Sequence, residues 1–167
     1  MPHTHDSPFR RASKEGLIRK DRSVHVVVRV ALHDQKDLID DRGPGFTIVS
    51  RRDFDRIGIG LGLDRILERV RERVGDATLH ASVNIDVLDP AHAPGTGGNT
   101  GGGWNDQPGT AGVVRGLRHN KIVEADIAEV ASAYGHAILT SVAAANLARE
   151  FISIMAEQKT TLPTASN

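Results

Sequence analysis

The chain has 167 residues, 39% hydrophobic and 25% charged, enough for one compact core and too few for two full domains. Lys plus Arg and Asp plus Glu both number 21, so no net field draws in nucleic acid or an anionic membrane, and the absence of cysteine excludes a disulfide scaffold and any thiolate metal site. The start, Met1 to Asp6, carries no apolar signal region, and no apolar run approaches the roughly 20 residues of a membrane span, so a soluble, cytoplasmic protein is expected.

In chain order, Phe9 to Leu17 reads as a short surface helix ended by Gly16. Val24 to Val30 is a near-continuous β-branched run, as strands covered on both faces require. Gly45 to Ser50 is a second strand, with Ser50 or Asp53 placed to cap the next element. Leu63, Ile66, Leu67, Val70 and Val74 recur at helical spacing, with charged residues on the other faces and Gly75 as a stop. Ala77 to Asp86 is a third strand. From Leu88 to Gly112 the density of glycine and proline predicts irregular structure. Ile122 to Val130 reads as a fourth strand, and Thr140 as the cap of a last helix running through Ala156. Residues 1–159 are expected to form a domain and 160–167 a disordered tail. Strands alternating with helices imply crossover units on a parallel sheet, with functional residues at the carboxyl ends of the strands.

The most informative run is Ser82-Val83-Asn84-Ile85-Asp86-Val87-Leu88-Asp89-Pro90, continuing into Ala93-Pro94-Gly95-Thr96-Gly97. On an extended strand Val83, Ile85 and Val87 face one side, while Ser82, Asn84 and Asp86 face the other. An acid and an amide side by side in a buried strand require a cation or hydrogen-bond donors, and a metal is the natural candidate. Asp89 with Pro90 is expected to shape the turn leaving the strand. The glycine-rich Gly95 to Trp104 loop matches neither phosphate-binding glycine pattern. His25, His33, His80, His92 and His119 show no ligand spacing and read as structural or solvated, and Asp34 to Asp41 as a solvated face.

This run resembles the second metal motif of the ureohydrolases, the arginase and agmatinase family, whose pattern is Ser-x-Asp-x-Asp-x-x-Asp-Pro followed by Ala-Pro-Gly. The resemblance extends through Pro8-Phe9-Arg10-Arg11-Ala12, Glu15-Gly16-Leu17-Ile18, Gly45-Phe46-Thr47-Ile48 and Arg73-Val74-Gly75, and is to the carboxyl-terminal part of an agmatinase or guanidinobutyrase. It implies a three-layer αβα parallel-sheet fold of the arginase type, here without its amino-terminal part.

The implied activity is hydrolysis of a small guanidino compound such as agmatine to an amine and urea, by hydroxide formed on two manganese ions. Asp86 then corresponds to a metal ligand. Asn84 stands where the family has the Asp that bridges both ions, and a neutral amide oxygen serves a hard cation less well than a carboxylate. Glu129, in Asp126-Ile127-Ala128-Glu129-Val130, corresponds to the carboxylate that accepts hydrogen bonds from the guanidinium. The same segment would otherwise read as a strand ending in a solvated acid. His5 corresponds to a family His that assists proton transfer near the substrate, against the plainer reading of a mobile His near a chain end. The family's Asp-x-His-x-Asp ligand cluster has no counterpart, so this chain alone is expected to be inactive. The loop lacks the family's Thr-Pro-Glu, and Ala133-Tyr134-Gly135-His136 replaces the commoner Tyr-Asp-His. A homo-oligomer, or association with full-length homologues as a noncatalytic partial subunit, is the implied assembly.

Overall fold

The computed structural model describes residues 8–28, 45–50, 59–98, 101–104, 107–135 and 138–161. The short amino-terminal helix is α1, Pro8–Lys14. Strand β1, Val24–Val28, pairs in parallel with β2, Thr47–Ser50, in the register Val24 to Thr47 and Val26 to Val49. The amphipathic helix α2, Ile59–Val74, turns Ile66, Leu67, Val70 and Val74 inward and ends before Gly75, whose φ of +59° suits glycine. Strand β3, Thr78–Asn84, pairs in parallel with β4, Lys121–Ala128, and Ser82 lies opposite Asp126. The described ladders form two parallel pairs, β1–β2 and β3–β4. The connection from β3 to β4 carries a helix, Gln107–Gly116, as the crossover between parallel neighbours requires.

One hydrophobic cluster unites both pairs. It runs from Val49 on β2 through Ile66 and Val70 on α2, Ala81 and Ile85 at β3, and Ile122 on β4. It continues into Ala143, Leu147, Phe151 and Ile154 of the long helix α4, Leu139–Thr161. Helix α2 lies against β1, α4 against β4, and helix α3, Gln107–Gly116, touches both α2 and α4. The covered side of β3–β4 is therefore apolar. The other side presents His80, Ser82, Asn84, Glu124 and Asp126, all exposed.

Three expectations are corrected. The stretch read as irregular to Gly112 contains the whole first half of α3. Gly112, read as the end of that loop, is a helix contact point, where a Cβ would lie 2.9 Å from Leu63 Cδ2; on Gly116, the last residue of α3, one would collide with the Leu67 methyls. Helix α4 runs past Ala156 to Thr161, and Thr140 lies within its first turn rather than at its cap. Asp86 is not on the third strand, because β3 ends at Asn84 and Ile85–Val87 form a 3₁₀ turn. The physical reason is local: Asn84 Oδ1 accepts the Asp86 N–H at 2.9 Å, which bends the chain out of the ladder. Arg29 and Val30, Asp53, the Asp34 to Asp41 stretch and residues 162–167 lie outside the described residues.

Candidate functional site

Strands β3 and β4 are neighbours and parallel, so their carboxyl ends emerge side by side. Asp86 follows the first and Glu129 the second. Between them runs Gly95 to Gly98. Thr96, only 4% exposed, donates its hydroxyl proton to Asp86 Oδ1, and the other oxygen, Oδ2, lies 3.4 Å from Asn84 Nδ2. Gly98 passes so near the same carboxylate that a Cβ there would lie 2.7 Å from Asp86 Cγ. No side chain larger than hydrogen fits without moving Asp86.

Glu129 stands just past the end of β4 with φ +65°, a left-handed conformation uncommon for a residue with a side chain. Its Oε2 lies 3.8 Å from the position of a Cβ on Gly97. Asp86 and Glu129 thus flank successive residues of one segment. Glu129 is exposed and Asp86 half-buried, and together they make the strand ends rich in acceptors, which suits a cationic group with several N–H donors.

The segment is anchored from behind. The Ala131 N–H donates to Gly95 O at 2.8 Å, and the Gly95 N–H donates to Thr140 Oγ1 at 2.7 Å. Asp89 closes the loop on the other side by accepting from the Ala91 N–H at 3.1 Å and the Gly102 N–H at 3.0 Å, which is the turn-shaping role expected of it.

The polar face of β3–β4 holds residues that sequence reading left without a role. Asp126 accepts from Ser82 Oγ at 2.8 Å and pairs with His80 Nε2 at 2.7 Å, and the His80 ring lies 6.3 Å from that of Phe9 on α1. His80 is therefore structural. The alternation along β4 marks Asp126 as outward-facing, but only the register that sets Ser82 opposite Asp126 reveals the pair.

Of the sequence-derived candidates, Asn84, Asp86 and Glu129 come together around the Gly95 to Gly98 segment, and His5 lies outside the described residues, as does His136. Among the described residues no group of three or more His, Asp or Glu side chains is placed to hold a metal ion. Among them, too, no helix is long and apolar enough to cross a membrane.

A family model described as the arginase family matches residues 1–153. "Putative agmatinase 1" of Schizosaccharomyces pombe is 42% identical over 151 residues, covering 90% of this chain and 37% of that protein. Guanidinopropionase of Pseudomonas aeruginosa is 34% identical over 156 residues, covering 93% of this chain and 48% of that one. Among solved structures, proclavaminate amidino hydrolase from Streptomyces clavuligerus matches with a TM-score of 0.81 at 32% identity, over 91% of this chain and 49% of that chain. The chain thus spans less than half the length of these relatives. With the fold, the motif at the end of β3 and the family match in agreement, the chain belongs to the arginase family.

Proposed function

We propose that this chain forms the guanidino-binding portion of an agmatinase-like ureohydrolase site acting on a small linear guanidino compound such as agmatine. The observation that carries the reading is the placement of Asp86 and Glu129 against successive residues of one loop, at the carboxyl ends of adjacent parallel strands. Glu129 would accept two N–H groups of the planar guanidinium, the pairing in which a carboxylate binds best. In the overall reaction water oxygen bonds to the guanidinium carbon, the bond to the alkyl nitrogen breaks, and amine and urea leave. His5 is the proposed aid to proton transfer. The names of the relatives, agmatinase, guanidinopropionase and an amidino hydrolase, support the substrate class.

Manganese is the cofactor that the family resemblance implies, and the described residues do not fit a dinuclear centre. At the two ligand positions of the motif they offer one carboxylate, Asp86, whose oxygens already face Thr96 and Asn84, and the neutral amide of Asn84 in the bridging position. We therefore assign this chain substrate binding, place residues 1–159 in one domain, and expect no turnover from it alone. The test is titration of agmatine into the chain, read at the Glu129 signals by NMR, beside a urea assay with manganese. Shifts at Glu129 that Glu129→Gln abolishes, with no urea formed, are the expected outcome. Agmatine binding elsewhere on the surface would overturn the reading.

A second reading is a noncatalytic partial subunit that associates with full-length homologues in the cytoplasm. The exposed β3–β4 face favours it, since parallel sheets are normally covered on both sides, and so do Tyr134 at 84% and Ile138 at 70% exposure. Mixing the chain with a full-length agmatinase and following co-elution separates the two readings.

A further inference from the structure

The hydroxyl of Thr140 is buried, at 2% exposure, in the first turn of α4. A threonine near a helix start ordinarily turns its oxygen to the helix's own free N–H groups. This one accepts instead from the Gly95 N–H at 2.7 Å, 45 residues away in sequence. Gly95 is clasped on its other side as well: its carbonyl accepts from the Ala131 N–H at 2.8 Å, and a Cβ on it would lie 3.0 Å from Thr140 Oγ1 and 3.1 Å from Ala131 O. From this one anchored residue the chain reaches both candidate site carboxylates. The next residue, Thr96, donates to Asp86, and Ala131 stands two residues beyond Glu129.

We infer that Thr140 is a positioning residue: its hydroxyl holds the Gly95 to Gly98 segment between Asp86 and Glu129 and so sets the spacing between Asp86 and the Glu129 carboxylate that receives a guanidinium group. This inference rests on the guanidino-binding reading. Thr140 touches no substrate and acts only through Gly95. Because the Gly95 N–H is buried beneath α4, loss of its acceptor leaves it unpaired, which the segment relieves by moving.

Thr140→Val keeps the β-branched shape and deletes the acceptor, whereas Thr140→Ser keeps the acceptor. Ala143→Gly, at a buried position of the same helix that makes no contact with the segment through a hydroxyl, is the control for loss of helix stability alone. Amide hydrogen exchange in the full chain, read by NMR, is expected to quicken at Gly95 and Ala131 by about tenfold in Thr140→Val relative to Ala143→Gly, with Thr140→Ser close to the parent. Agmatine titration is expected to show affinity about tenfold weaker in Thr140→Val and restored in Thr140→Ser. Exchange at Gly95 no faster in Thr140→Val than in Ala143→Gly overturns the inference, as does equal agmatine affinity in Thr140→Val and the parent. Absence of any agmatine response in the parent refutes the guanidino-binding reading instead, and the Gly95 exchange rates then still decide whether Thr140 holds the segment.

Discussion

Replacing Asn84 with Asp isolates what the altered bridging position does. In the parent, Asn84 Oδ1 accepts the Asp86 N–H at 2.9 Å and Nδ2 lies 3.4 Å from Asp86 Oδ2, so the amide presents its donor side to the carboxylate. Asn84→Asp replaces that donor with a second anionic oxygen at the same distance. Two unit charges so placed repel by about 1 kcal/mol at the permittivity of water and about 5 kcal/mol at an effective permittivity near 20. Asn84 is exposed and Asp86 half-buried, which puts the cost toward the lower end, about 1–2 kcal/mol. For a chain of this size that lowers the melting temperature by about 2–8 °C. A divalent cation that bridges the pair reverses the loss by binding only the folded form. Thermal melts in EDTA and in millimolar manganese are the assay: the variant should melt below the parent in EDTA and recover in manganese, while the parent should bind manganese weakly and hardly respond. Equal melting of both proteins in both buffers would refute the reasoning, because the two side chains could not then be held at that separation. The variant should still release no urea from agmatine, since one restored carboxylate does not complete a two-metal site.

Glu150→Gln tests the link between α3 and α4, where Arg115 donates to Glu150 through Nε at 3.0 Å and Nη2 at 2.8 Å. That guanidinium holds the Glu150 carboxyl below its ordinary value of 4.5, so the stabilisation is present above that value and fades as pH falls through the lower folded one. The parent should therefore outlast the variant in melts at pH 7 by a gap that narrows as the pH is lowered, and a gap of undiminished size in acid would exclude the ion pair as its cause. Gln158→Leu removes a side chain whose Nε2 donates to Asn120 O at 2.6 Å and Arg118 O at 3.1 Å and whose Oε1 accepts the Ile122 N–H at 3.2 Å, tying the end of α4 to the start of β4. It should cost about 1–3 kcal/mol in denaturant titration, and a change below experimental error would show that water satisfies those groups equally well. Size-exclusion chromatography with light scattering should show self-association, with a melting midpoint that rises with concentration; a monomer whose midpoint ignores concentration would remove the partner reading.

Much of the fold was legible because local periodicity and burial coincide. The helical recurrence from Leu63 to Val74 and the β-branched runs at Val24 and Ile122 are consequences of one face meeting a core, and they appear as α2, β1 and β4. The motif around Asp86 was equally legible, since its residue types and spacing are chemically specific, and it carried the family. What the sequence could not disclose was anything that depends on chain segments meeting. Gly112 looks like a loop residue until α2 lies close enough to need it. Ser82, His80 and Asp126 look unrelated until the parallel register sets β3 beside β4. Thr140 looks like a helix cap until its hydroxyl is found on Gly95. Sequence alone determined which elements form and which residues could carry chemistry, because propensity and patterning act within a few residues. The tertiary structure decided which of those residues share a site, because hydrogen bonds and close packing between distant segments exist only once the core has brought them together.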